Sequence, residues 1–218
     1  MQLYFDFTKD ARRSSILNQL KAKIRDEGWA VALSDAQAAH VPKKHHHGIV
    51  EVRETIANLT VTDKVRDDMS AIYEILAAAE AQVHGCEIDE THFHEVGNGE
   101  AIFNTLLICC AFSSVKVDYV MATPVQTGQG QIECAHGLMD IPAPATAAIL
   151  AMGIPVCEEK LDGELCTPTS AAIIKHFVQE FRTFELGRGQ SFTSRDPMQG
   201  RRRLLAVYVS VMSRQRAE

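Results

Sequence analysis

The chain has 218 residues, 46% of them hydrophobic and 23% charged, and a formal net charge of −6. This is ordinary globular composition, long enough for a core without disulfide or metal staples, and its acidic balance leaves Arg201-Arg-Arg203 too short to offer nucleic acid a basic face. The N-terminus has no basic segment followed by an apolar one, and no run of about 18 apolar residues occurs, so a soluble, cytoplasmic chain with no nucleic-acid or membrane partner is expected.

Residues 2–7 alternate apolar and polar positions and suit a first strand, with Asp6 at its end. Residues 10–27 read as a helix with Ile16, Leu17, Leu20 and Ile24 on one stripe and Gly28 as its stop. Residues 29–33 form a second candidate strand. Strand, helix, strand at this spacing points to an α/β fold, a single compact domain over 1–218 with a mixed sheet and packed helices. From 36 to 48 the periodicity is lost, which suits an exposed loop carrying His45-His-His47. Residues 50–59 are a short helix. Residues 62–83 are a long one, with Val65, Met69, Ile72, Tyr73, Leu76, Ala79 and Val83 at core spacing and His84-Gly85 as its end. Gly97 or Asn98 opens a further helix carrying Ile102, Phe103, Leu106, Leu107, Cys110 and Ala111. Residues 115–125 read as a buried strand, 127–131 as a glycine turn and 132–136 as a short strand. Ile141-Pro-Ala-Pro-Ala145 is a rigid lead-in to a helix ending at Met152. Residues 163–172 feed a helix N-terminus with Thr167 or Thr169 as cap and Pro168 in the first turn. The apolar run 204–212 suits an internal strand.

The most unusual stretch is Thr91-His-Phe-His-Glu-Val-Gly97. In extended backbone His92 and His94 point to one side while Phe93 points to the other and can anchor in a core. Two imidazoles with a carboxylate, Glu95, nearby suit a borderline ion such as Zn or Ni; a solvated turn whose histidines cap the next helix is the competing reading. His45, His46 and His47 cannot all reach one ion from a regular element, although a loop can offer one or two of them. Cys134 and His136 repeat the i, i+2 spacing, giving a softer pair that packing also explains. Glu100 and Asn104, four apart on a helix, can both face the histidines upstream. The six cysteines form no Cys-x-x-Cys pair and read as free thiols, Cys109 and Cys110 as core. A helix start at Thr167 or Thr169 is a natural seat for phosphate or carboxylate, with ordinary capping as the default.

The series Tyr4-Phe-Asp6, His45-His-His47, Val83-His-Gly85, His92-Phe-His-Glu-Val-Gly97, Thr127-Gly-x-Gly130, Cys134-Ala-His-Gly137, Ile141-Pro-Ala-Pro-Ala-Thr146 and Gly163-Glu-Leu-x-Thr-Pro-Thr169 resembles the LarC family, the nickel insertion proteins of nickel-pincer cofactor biosynthesis. The resemblance implies nickel insertion into pyridinium-3,5-bisthiocarboxylic acid mononucleotide, a lyase-type chelatase step coupled to CTP hydrolysis. It implies that the chain corresponds to the family's N-terminal, metal-handling half. Implied metal ligands are His45, His46, His47, His92, His94, Cys134 and His136, with Glu95 and Glu100 as catalytic carboxylates and Thr167, Thr169, Gly128 and Gly130 on the cofactor. Nickel is the metal; CTP with Mn2+ or Mg2+ would act through a separate C-terminal domain or chain. Further copies of this chain are the other partner implied.

Departures from the family pattern accompany the matches. Asp10-Ala-Arg-Arg-Ser-Ser15 replaces a Gly-Ile-Ser-Gly-Asp-Met loop, so Ser14 stands where an aspartate is expected. Glu100 and Asn104 replace two aspartates, and Gly187-Arg-Gly-Gln-Ser191 replaces Gly-x-Gly-Ala-Gly. Two functions fit these matches and departures: a nickel insertase subunit, and a non-catalytic metal-binding or assembly relative that has lost insertase activity. A zinc hydrolase using His92, His94 and Glu95 is a weaker third, since the motif lacks the spacing of helical zinc sites.

Overall fold

The computed structural model describes residues 1–42, 48–93, 99–115, 117–134 and 137–182, and of Cys134 the backbone alone. All of them belong to the unit Met1–Thr183. The expected strand at 204–212 and the Gly187–Ser191 motif lie outside the described residues.

Strand β1 (Gln2–Phe5) turns Leu3 and Phe5 into the core. Helix α1 (Arg13–Lys23) buries Ile16 and Leu20 on the expected stripe but is shorter than the sequence suggests, because Ile24 and Arg25 are extended. Helix α2 (Asp26–Ala38) then starts with Asp26 and Glu27 in its first turn, where a helix dipole favours carboxylates. It takes in residues 29–33, for which the sequence suggests a strand. Helix wins there because Trp29, Ala32, Leu33 and Ala36 fall at helical spacing. Ala32 and Ala36 are buried where α2 lies along a later helix, and alanine is the best helix former. Gly28 is no stop; it sits in the first turn of α2, close to Ser114 and Val115. The loop expected from residue 36 accordingly begins only after α2.

Helix α3 (Ile49–Ala57) and helix α4 (Asp63–His84) follow. Thr62 caps α4 by accepting from the Val65 N–H, and Gly85 ends it in the left-handed region at φ 65°. The expected core stripe of α4 is buried apart from Val83, which is 39% exposed. A 3-10 turn over Ile88–Glu90 leads toward helix α5 (Gly99–Ser113), which is apolar on nearly all sides and packs against α1, α2 and α4. Of residues 115–125, Tyr119–Ala122 form strand β2. Then come β3 (Gly128–Gln129), β4 (Gln131–Cys134), β5 (Gly137–Asp140), helix α6 (Pro144–Leu150), β6 (Gly163–Glu164), helix α7 (Pro168–Phe177) and β7 (Glu180–Phe181).

The strands make a parallel sheet in the order β1-β2-β7, with Gln2 opposite Tyr119, Phe5 opposite Ala122 and Met121 opposite Glu180. Two antiparallel pairs, β3 with β6 and β4 with β5, are separate from it. The α/β class is as expected. Parallel and antiparallel pairings are, however, sorted into different small sheets among the described residues. Beyond the C-terminal ends of β1 and β2 the chains stay joined: the Phe7 N–H donates to Thr123 Oγ1 at 2.7 Å, and the Gln126 N–H donates to the Phe7 carbonyl at 2.9 Å. Open α/β sheets place their ligands beyond this edge.

Helices α4 and α7 are also locked by a polar contact, His176 Nε2 lying 2.9 Å from Asp68 Oδ1 while Lys64 Nζ reaches Oδ2 at 2.9 Å. Burial works against ionisation of Asp68, but the hydrogen bonds from His176 and Lys64 outweigh it and hold the carboxyl below its ordinary value. A depressed carboxyl adds stability above its unfolded pKa and loses it as pH falls through the lower folded value. Asp68→Asn is therefore expected to cost about 1–2 kcal/mol at pH 7. Urea unfolding should show this gap narrowing progressively as pH falls below about 4; a gap that does not narrow at all with falling pH would contradict the assignment.

Candidate functional site

The two histidine segments are adjacent at their described ends. Gly48, which follows the triplet His45-His-His47 in sequence, makes an antiparallel bridge with His92, and the Ile49 N–H donates to the Thr91 carbonyl at 3.3 Å. Around His92 the side chains alternate as extended backbone requires: Thr91 and Phe93 are each 1% exposed, and His92 is exposed. Phe93 packs edge-on against Tyr73 of α4, with ring centroids 6.2 Å apart. Arg53 of α3 braces this corner. It grips Glu74 of α4 through Nε and Nη2 at 2.6 and 2.8 Å and also donates to Asp89, three residues before His92. The fork geometry suits guanidinium to carboxylate.

Glu100 is exposed in the first turn of α5, and Asn104 is half-buried one turn on. His45, His46, His47, His94, Glu95 and His136 lie outside the described residues, as does the side chain of Cys134. Among the described residues no three His, Cys, Asp or Glu side chains gather closely enough to hold a metal ion. Ser14 is exposed near the start of α1, which packs on α5.

A second assembly stands beyond the parallel sheet, built from the other two unusual motifs. Thr127-Gly-x-Gly130 supplies β3, Gly163-Glu-Leu supplies β6, and Gly128 pairs with Glu164 and Gln129 with Gly163. Gly128 sits at φ 84°, and a Cβ there would lie 1.7 Å from the Gly163 carbonyl oxygen, so only glycine permits this pairing. The Leu165 N–H donates to the Thr127 carbonyl at 3.1 Å, and the Ala11 N–H to the Leu165 carbonyl at 2.8 Å, which brings in the loop after β1. In that loop Arg12 holds Asp10 in a fork, Nε and Nη2 each at 3.0 Å. Burial opposes ionisation of Asp10, but the bonds from Arg12 prevail and keep its carboxyl below the usual range.

Thr127-Gly-x-Gly130, Gly163-Glu-Leu165 and the loop after β1 thus meet beyond one sheet edge, and the described ends of the two histidine segments meet at one helix corner. A family model described as nickel insertion protein matches residues 5–195. The chain belongs to that family. It is 39% identical over 141 residues, 65% of this chain and 35% of the relative, to the pyridinium-3,5-bisthiocarboxylic acid mononucleotide nickel insertion protein of Staphylococcus saprophyticus. The protein of the same description from Geobacillus kaustophilus is 35% identical over 143 residues, 66% of this chain and 34% of that one. A putative nickel insertion protein of Roseiflexus castenholzii is 41% identical over 169 residues, 72% of this chain and 43% of that one. The chain therefore spans well under half the length of these relatives. No solved structure matches it.

In this nickel insertion family member, the residues expected on the cofactor side also take part in the scaffold. Thr167 caps α7, accepting from the Ser170 N–H at 3.3 Å while Ser170 Oγ accepts from the Thr167 N–H at 2.8 Å. Thr169 is buried in the first turn of α7. Gly130, at φ 106°, closes the turn from β3 into β4. Cys109, Cys110 and Cys166 are buried core thiols, and burial pushes Cys110 and Cys166 up to about 12. Sequence reasoning missed Gln126, Cys157 and Lys160, which crowd the same edge. Their only signal was proximity in sequence to the glycine turn and to the Gly-Glu-Leu strand. No described helix is long and apolar enough to cross a membrane.

Proposed function

We propose that this chain, taken as one domain over 1–218, is the metal-handling part of a nickel insertase. In this reading it delivers Ni(II) to the sulfur donors of pyridinium-3,5-bisthiocarboxylic acid mononucleotide. The observation that carries the reading is the Gly48–His92 bridge in a member of the nickel insertion family, because it sets the bases of two histidine-bearing segments side by side. His45, His46, His47, His92 and His94 are the imidazole donors, with Cys134 and His136 as a softer pair. Imidazole is a borderline ligand for nickel, so thiocarboxylate sulfurs can draw the ion away from the histidines, with Cys134 as the softest donor of the set. Glu95 and Glu100 are the catalytic carboxylates in this reading. CTP and Mn2+ or Mg2+ act through a separate domain or chain. The chain acts in the cytoplasm, and copies of it can associate.

The exposure of Ser14 and the neutral Asn104 favour a second reading, in which the chain binds metal but no longer inserts it. Nickel titration of the purified chain, followed by incubation with the precursor and scoring of nickel in the small-molecule fraction, separates the two. Nickel uptake followed by transfer supports the insertase; uptake alone supports the second reading. Uptake should fall steeply as pH drops through roughly 6.5, since imidazoles must be neutral to bind. Binding that stays flat from pH 8 to 5 would argue against histidine ligation. Selectivity is a further test. Ser14→Asp with Asn104→Asp restores two hard oxygen donors and should raise Mn affinity about tenfold or more while moving Ni little. Equal Mn affinity in calorimetry would mean that these positions do not face the site.

A further inference from the structure

Segment 155–160 is fastened along the chain that leaves β2. The Val125 N–H donates to the Pro155 carbonyl at 2.8 Å, the Cys157 N–H to the Val125 carbonyl at 3.0 Å, and the Cys157 thiol to the Pro124 carbonyl at 3.4 Å. Gln126, only 2% exposed, ties both ends of its amide to this junction: Oε1 accepts from the Gly128 N–H at 3.0 Å and Nε2 donates to the Glu159 carbonyl at 2.9 Å. Thr127, also 2% exposed, donates its hydroxyl to the Gly128 carbonyl at 3.1 Å, so its lone pairs are left to accept from Lys160 Nζ at 3.0 Å. Thr127 thus holds the lysine directly, while Gln126 fastens the segment that carries it.

That lysine is half-buried, and among the described residues no carboxylate lies within ion-pair distance of it. One neutral hydroxyl uses one of its three donors. Lys9 and Asp6 lie in the same neighbourhood, both close enough to act on the Cys157 thiol together with Lys160. Asp6 Oδ1 is engaged locally, accepting from both the N–H and the hydroxyl of Thr8 at 3.0 and 2.6 Å. Arg12 and Asp10 cancel one another. Lys9 and Lys160 share this sheet edge with Asp6, Asp162 and Glu164; Asp162 accepts from Gln129 Nε2 at 3.0 Å, and Lys160 is left, among the described residues, without an ion pair beyond the strand ends where α/β sheets hold ligands.

We propose that Lys160 is the seat for the phosphate monoester of the pyridinium mononucleotide, positioned by Gln126 and Thr127. The assignment rests on the nickel-insertion reading and deepens it by saying how the precursor is oriented. An ammonium is a hard, strongly hydrated donor suited to phosphate oxygens, which leaves the thiocarboxylate sulfurs for the metal. The second phosphate source, a nucleoside triphosphate, is an arm of the test.

Calorimetric titration of the full chain with nicotinic acid mononucleotide, its phosphate-free nucleoside and CTP decides the matter. The expected result is measurable mononucleotide binding and at least about tenfold weaker nucleoside binding, one charge-assisted contact being worth about that factor. Lys160→Gln should lose about tenfold for the mononucleotide, Lys160→Arg should retain most of it, and both should melt like the unaltered chain and bind nickel unchanged. The proposal is overturned if Lys160→Gln binds the mononucleotide like the unaltered chain, if the unaltered chain does not bind it, or if only CTP binding depends on Lys160. In each case intact nickel uptake leaves the insertion reading standing, whereas absent nickel uptake defeats that reading independently.

Discussion

Gly128→Ala is expected to be the most destabilising single methyl addition in the described structure. The new Cβ would stand 1.7 Å from the Gly163 carbonyl oxygen and 3.1 Å from the Leu165 amide nitrogen, both backbone atoms that no rotamer change can move. The residue would also have to hold φ 84°. Steric overlap and left-handed backbone together should cost about 3 kcal/mol or more, a fall in Tm on the order of 10 °C. Gly130→Ala is the matched control. Gly130 also has positive φ, at 106°, but a Cβ there meets nothing within 4 Å, so only the backbone cost of about 1–2 kcal/mol applies. Thermal melts of the two variants should differ clearly. Similar melting would mean that β3 and β6 do not pair as closely as described.

His92→Ala with His94→Ala is expected to lower nickel affinity by at least about 100-fold, because even the loss of residues that merely support metal ligands costs about 10–100-fold. Stability should change little at His92, which is exposed and whose bridge to Gly48 is made by backbone atoms. Phe93→Ala provides the contrast: removing a ring that is 1% exposed and packs on Tyr73 should cost about 3 kcal/mol or more and weaken nickel only through the fold. Equilibrium dialysis and melting on the same samples separate the two effects.

Much of this was legible in the sequence wherever a local signal and the tertiary structure agree. Helix α4 carries its cap at Thr62, its stripe and its closing Gly85 in plain order, and α7 announces itself by Thr167 and Pro168. The alternation His92-Phe93 correctly placed the ring inward and the imidazole outward. Residues 29–33 misled because five apolar or small residues in a row fit a buried strand as well as a helix; packing on α5, which no local pattern reveals, chose the helix. The strands are so short that pairing partners could not be read locally. The meeting of Thr127-Gly-x-Gly130 with Gly163-Glu-Leu165 depends on a close backbone approach that leaves in the sequence only glycines. Lys160 was illegible for the same reason: its partner Thr127 lies 33 residues away.

The central claim, that the histidine segments joined at Gly48 and His92 hold nickel in this chain, is tested most directly by X-ray absorption at the nickel edge on the loaded full chain. The account predicts a first shell at about 2 Å containing nitrogen donors, with the outer-shell scattering of at least two imidazoles that is lost in the His92→Ala, His94→Ala variant. Bound nickel without imidazole scattering, or the same spectrum in that variant, would contradict it.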